Sequence, residues 1–224
     1  MSTLRDALGQ RILVLDGAMG TMIQEAGLTA ADFGGAAYEG CNEHLTLTRP
    51  DVIRAIHAAY LEAGADIVST NTFGCAPYVL GEYGLAERAY ELSRAAARLA
   101  REVAGARFVV GAMGPGTRSI SVTRNVTFDE VREAYAVQAR GLIDGGVDAL
   151  LLETQQDTLN VKAAAIGVRH AMRAAGWIGP SWSPARSSRR VRCSRARAWR
   201  RSTSPSSTST SSPSASTARP APSS

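Results

Sequence analysis

Through residue 175 the chain alternates short apolar runs with longer amphipathic stretches, and each apolar run ends in polar or glycine-rich residues. Residues 12–15 (ILVL) form the first such run, closed by Asp16 and Gly17. Pro50 then opens a helical pattern. Proline suits a first helical turn, where its missing N–H costs nothing, and Val52, Ile53, Ile56 and Tyr60 recur on one face before Gly64 ends the segment. Residues 65–69 read as a buried strand, roughly 85–103 as the next helix, and 108–113 as the following strand. Thr127 and Glu130 have the spacing of a capping box, in which two side chains satisfy each other's free backbone N–H groups, and they predict a helix running to Gly145. Residues 148–153 (DALLLE) give a fourth strand, and Asp157 starts a helix that fades near Ala175.

This strand–helix alternation, with strands apolar on both sides, predicts a parallel sheet covered by helices. A doubly wound sheet and a (β/α)₈ barrel share that grammar. The strand ends favour the barrel. Asp16-Gly17, Thr70-Asn71-Thr72, Gly114-Pro115 and Glu153-Thr154 would all lie on the one face where a barrel builds its active site. No GxGxxG follows the first strand, which argues against a dinucleotide fold. The expected fold is therefore α/β, a partial (β/α)₈ TIM barrel of about the first four βα units, occupying residues 1–176.

From residue 177 the grammar changes. Residues 177–224 contain no Leu, Met, Phe or Tyr, but sixteen Ser and all three tryptophans of the protein. So little apolar surface cannot offset the entropy of ordering, and this Arg/Ser/Pro-rich tail is expected to be disordered. Charge divides at the same point. Residues 1–176 carry sixteen Lys and Arg against all twenty acidic residues, whereas the tail carries nine Arg and no acid. The net +5 is thus a property of the tail, and the mildly acidic remainder suits a small-molecule enzyme better than a nucleic-acid binder. Translation of a GC-rich coding sequence out of frame yields such an Arg, Ser, Pro, Ala and Trp mixture, and is the preferred account of the tail over a functional basic segment.

Cys41, Cys75 and Cys193 are odd in number and far apart, so a disulfide framework is not expected and a cytoplasmic location is the default. No CxxC pair is present. The start MSTLRDALGQR is polar rather than a signal peptide, and no apolar run is long enough to span a membrane. His44, His57 and His170 have no second ligand at metal spacing and are expected at surface or helix-face positions.

Four stretches carry a resemblance: LDGAMGTMIQ at 15–24, GCNEHLTLTRPDVIRAIHAAYLEAGADIVSTNTFG at 40–74, GAMGPGTRSIS at 111–121 and LLETQQDTLNVKAA at 151–164. Together, over about residues 11–175, they resemble the homocysteine-binding module of cobalamin-dependent methionine synthases, within the homocysteine S-methyltransferase family. The DGAMGT and TNTFG motifs are shared with other homocysteine methyltransferases, and the GCNE and ETQQDTLNVKAA stretches are more particular to the cobalamin-dependent branch.

The resemblance implies a (β/α)₈ barrel whose C-terminal face holds the homocysteine sulfur on zinc. Three cysteines supply that metal, one in an Asn-Cys pair and two in a Gly-Gly-Cys-Cys-Gly run. Neither pattern occurs in this sequence. No metal ligand or catalytic residue is therefore assigned, and neither zinc nor methylcobalamin is expected to bind this chain. The implied substrate-binding residues are Asp16, Gly17, Ala18, Asn71, Thr72, Phe73 and Glu153. Asp16 and Glu153 would face the ammonium of homocysteine, the backbone N–H groups of the Asp16–Ala18 turn its carboxylate, and Asn71, Thr72 and Phe73 would line the space between. The implied reaction moves a methyl group from methylcobalamin, ultimately from methyltetrahydrofolate, to the zinc-activated thiol, giving methionine. Cobalamin and folate modules of a longer protein would be partners, and this chain alone is expected to be inactive. A cobalamin-independent enzyme using betaine or S-methylmethionine is the alternative. Plainer roles compete at single positions: Asp16 fixing its turn, and Glu153 or Asn71 bonding loop backbone.

Overall fold

The computed structural model describes residues 3–182. Its helices and strands, in chain order, are α1 (Leu4–Gln10), α2 (Met19–Glu25), α3 (Leu45–Thr48), α4 (Pro50–Glu62), β1 (Ile67–Ser69), α5 (Pro77–Leu80), α6 (Ala89–Ala104), β2 (Phe108–Met113), α7 (Phe128–Gly145), β3 (Ala149–Leu152), α8 (Thr158–Ala174) and β4 (Ser181–Trp182). A 3-10 turn at Asn42–His44 leads into α3. Local chemistry accounts for the helix starts. Pro50 occupies the first turn of α4, Thr127 and Glu130 complete their reciprocal cap on α7, and the Asp157 side chain accepts from Leu159 N at the start of α8.

The sheet is parallel throughout, in the order β1-β2-β3-β4, with Ile67 opposite Phe108, Val110 opposite Ala149 and Leu150 opposite Ser181. Alternating residues point to opposite faces of a strand, and the two faces differ in what covers them. Val68, Val109 and Leu150 meet Ala97 of α6, Leu142 of α7 and Val168 of α8 in one buried cluster. Ile67, Val110 and Ala149 gather on the other face around Leu4 of the short α1. Long helices on one face and sequential strand order are what a barrel wall requires; a doubly wound sheet carries helices on both. The helix layer is tightly seated. A Cβ at Gly145 would fall 2.4 Å from Ala97 Cβ, and one at Gly167 only 2.1 Å from the Arg132 carbonyl oxygen.

Three expectations need adjustment. The run at 12–15 does not form a full strand: Leu15 makes a single parallel bridge to Ile67, and Ile12 is 89% exposed. The Asp66 carboxylate explains this, because it takes the Val14 N–H at 2.9 Å and pairs with Arg11, so a side chain ends the ladder. Second, the sheet continues past residue 176, since Leu150 N bonds Pro180 O and Ser181–Trp182 pair with β3. The expected tail from 183 onward lies outside the described residues. Third, of the three histidines His170 is exposed and His57 lies on a helix face, but His44 is buried in the turn before α3. His57 sits on the inward face of α4 with neither ring nitrogen bonded, and burial lowers its pKa to about 4.

Candidate functional site

At the C-terminal ends of the strands lies a cavity of about 430 Å³. All seven residues singled out in the sequence line it: Asp16, Gly17 and Ala18 before α2, Asn71, Thr72 and Phe73 after β1, and Glu153 after β3. They are drawn together because parallel strands deliver their ends to one rim.

Their side chains are engaged very differently. Both oxygens of Asp16 face Ser69, accepting its N–H at 2.8 Å and its hydroxyl at 2.6 Å. Burial raises the Asp16 pKa to about 6, against the opposing pull of those two bonds. Glu153 is also raised, first by burial and then by the neighbouring charge of Asp16. The next residue, Thr154, has φ of 55°, a left-handed conformation that is costly for a β-branched side chain.

Asn71 donates to Asn42 O at 2.7 Å, and the Thr72 hydroxyl donates to Ala112 O at 2.7 Å. Both are therefore committed to backbone, as the plainer reading of Asn71 anticipated. Phe73 is 45% exposed and its ring lies where a Cβ on Gly114 would stand, 2.6 Å away. Gly114 N in turn donates to Phe73 O at 2.9 Å, tying the loops after β1 and β2 together.

The sequence reading missed a supporting set. Ser69, Asn42 and Glu43 also line the cavity. Helix α7 sends two polar side chains at i, i+3 spacing into the strand ends: the Tyr135 hydroxyl donates to Gly114 O at 2.5 Å, and Gln138 Nε2 to Thr72 O at 2.6 Å. A polar pair on an otherwise apolar helix face was the available signal for the latter two.

The thiols do not fit a zinc site. Cys41 and Cys75 are packed with Leu80, Leu85 and Leu92, and burial with help from the nearby Glu43 pushes Cys41 to about 11 and Cys75 well above the usual thiol value. Both thiols are thus enclosed in apolar packing rather than turned toward the cavity. Among the described residues no group of three or more His, Cys, Asp or Glu side chains is arranged to hold a metal ion. No described helix is long and apolar enough to cross a membrane.

Comparison with known proteins gives a consistent picture. The methionine synthases of Mycobacterium tuberculosis and Mycobacterium leprae are each 49% identical to the chain over 180 residues, which is 77% of this chain. The chain spans only 15% of the length of these relatives. Among solved structures, the homocysteine methyltransferase MmuM from Escherichia coli superposes with a TM-score of 0.63 in its metallated form, at 23% identity, covering 80% of this chain and 65% of that one. Its oxidized form gives 0.64 at 24% identity, with 80% and 64% covered. That likeness shows the fold, the leading part of a (β/α)₈ barrel. The model of the homocysteine S-methyltransferase family matches residues 13–194, past the boundary that composition suggested at 177, and the chain belongs to that family.

Proposed function

We propose that the chain grips homocysteine by its amino-acid end, as the substrate-binding part of a methionine synthase that methylates the thiol. The observation that carries this reading is the Asp16–Glu153 pair, two carboxyls on one cavity whose acidities are weakened by burial, with Asp16 adding to the shift at Glu153. Once ionised, such a pair repels, and an ammonium between them relieves both the repulsion and the burial cost. The substrate carboxylate suits backbone N–H groups of Gly17 and Ala18, and Phe73 offers an apolar wall to the side chain. In this reading methylcobalamin and methyltetrahydrofolate are handled by partner modules of a longer protein, in keeping with the small share of the mycobacterial relatives that the chain spans. Zinc would supply the thiolate there. Since the described residues offer it no donor set, what this chain's own residues do is bind and orient the amino acid.

Calorimetric titration of the purified chain tests the reading. L-homocysteine and L-homoserine should bind within about threefold of each other, because the grip is at the shared end, and EDTA should leave both unchanged. N-acetyl-homocysteine, which has no ammonium, should bind at least about a hundredfold more weakly. A chain indifferent to all three ligands refutes the reading, and an EDTA-sensitive affinity for homocysteine alone shows that metal is held after all.

A further inference from the structure

Of the carboxyls on the cavity, Glu43 has no part in the substrate contacts proposed above. It sits in the 3-10 turn Asn42–His44, between helical segments, and lines the cavity beside Asn42. Its Oε1 accepts the backbone N–H of Gly74 at 2.7 Å, across 31 residues of chain. Oε2 lies 4.0 Å from the Cys41 thiol.

The turn that carries Glu43 is firmly anchored. Cys41 is 1% exposed in the cluster with Leu80 and Leu92, and His44 Nδ1 is 2.8 Å from Phe33 O, with its ring 4.8 Å from that of Tyr38. From this anchor two contacts reach the loop after β1. The Asn42 carbonyl takes the Asn71 side chain, and the Glu43 carboxyl takes Gly74 N. They bracket Thr72 and Phe73. The fit also dictates the residue at 74: a Cβ there would lie 2.8 Å from Glu43 Oε1, so the carboxyl occupies the space a side chain would need.

We propose that Glu43 is a positioning residue for the substrate cavity, holding the 71–74 loop in the conformation that presents Phe73. The inference rests on the homocysteine reading for its functional consequence, but the latch itself is a property of this chain. Other bonds already tie the loop at Thr72 and Phe73, and the Glu43 bond fixes its far end at Gly74. Burial raises the Glu43 pKa, so reach and an acceptor oxygen, not charge, make the latch. Glutamine preserves the length and an acceptor oxygen. Aspartate preserves the charge but is one methylene short of Gly74.

The test compares the full chain with E43Q, E43D and E43A, reading homocysteine affinity, thermal midpoint and the exchange rate of the Gly74 amide proton by NMR. Affinity should fall about tenfold in E43A and E43D and stay within about threefold in E43Q. Gly74 exchange should be slow in the wild type and E43Q and at least about tenfold faster in E43A and E43D, with other protected amides unchanged. Rescue by glutamine and failure by aspartate exclude a merely charged residue, and faster exchange confined to Gly74 excludes a merely space-filling one. If E43A is globally destabilised, E43D and E43Q carry the comparison. Equal Gly74 exchange in all four proteins overturns the proposal, as does wild-type affinity in E43A and E43D. If the wild type binds no homocysteine, the substrate reading falls while the exchange pattern still decides the latch.

Discussion

Asp16, beside β1, and Glu153, after β3, face the same cavity, yet the fold treats them differently. Asp16 is bonded through both oxygens to Ser69, and so ties the end of the 12–15 run to the end of β1. The Glu153 carboxyl has no hydrogen-bond partner among the described residues, and its acidity is weakened by burial and by Asp16 with no bond pulling the other way. A half-buried carboxyl without a protein partner is held mainly by the solvent that reaches it, and a cation that displaces this solvent gains the full interaction. Under the proposed reading this contrast makes Asp16 chiefly a rim residue and Glu153 chiefly the ligand contact, two positions that the resemblance had both placed at the ammonium.

The largest effect that could break this contrast is on binding. Glu153→Gln should weaken homocysteine about a hundredfold and Asp16→Asn about tenfold, measured by calorimetry at neutral pH. Equal losses would return the two residues to equivalence.

Next comes the pH dependence of stability. Between its ordinary 3.8 and about 6, folded Asp16 holds a proton that the unfolded chain releases, so its contribution to stability falls as pH rises through that window. His57 does the reverse. With its pKa lowered from 6.5 to about 4, the unfolded chain takes up a proton that the folded one refuses, so stability rises with pH across that range. From about 4 to 6 the two slopes oppose each other. Urea unfolding of Asp16→Asn should show stability climbing with pH there relative to wild type, and His57→Leu should show it falling, each by on the order of 2 kcal/mol. Parallel curves for wild type and Asp16→Asn would mean that Asp16 is not buried as described.

A smaller effect sharpens the contrast further. Ser69→Ala removes one bond to Asp16 and should cost about 1 kcal/mol. In a double-mutant cycle it should couple to Asp16→Asn and add independently to Glu153→Gln, apart from a few tenths of a kcal/mol. The smallest concerns the neighbour of Glu153. Thr154→Gly should raise stability by about 0.5 kcal/mol by relieving the left-handed backbone, offset in part by glycine's greater freedom when unfolded. A loss of stability would show that the Thr154 side chain contributes more than its strain costs.

What the sequence disclosed follows from the range over which its chemistry acts. The Thr127–Glu130 box and the Pro50 start are local, three residues or fewer across, and both appear in the structure where the pattern placed them. The seven cavity-lining positions came from the family resemblance; strand geometry adds that ends of parallel strands converge, but it named Gly114, Pro115 and Thr154 as readily, and these do not line the cavity. The bonds that distinguish one rim residue from another span much longer stretches. Ser69 is 53 residues from Asp16, Gln138 is 66 from Thr72, and nothing local marks either pairing. Leu4 was likewise missed, since a seven-residue helix has too few turns to show a period. Glu43 lay inside a recognised motif, GCNE, but a motif names a position without saying which backbone amide it serves.

Gly167 stands on the outer helices, away from the cavity, where the α8 backbone meets the Arg132 carbonyl of α7 at a distance that admits no side chain. The same helix carries Tyr135 and Gln138, which hold the carbonyls of Gly114 and Thr72. In mechanical terms α7 is a lever, with the glycine contact as its fulcrum and two rim carbonyls as its load. A methyl group wedged in at 167 would tilt or shift that lever by a fraction of an ångström, and the displacement would be felt at the loops after β1 and β2. Remoteness from the cavity is therefore a poor guide to which positions tolerate change.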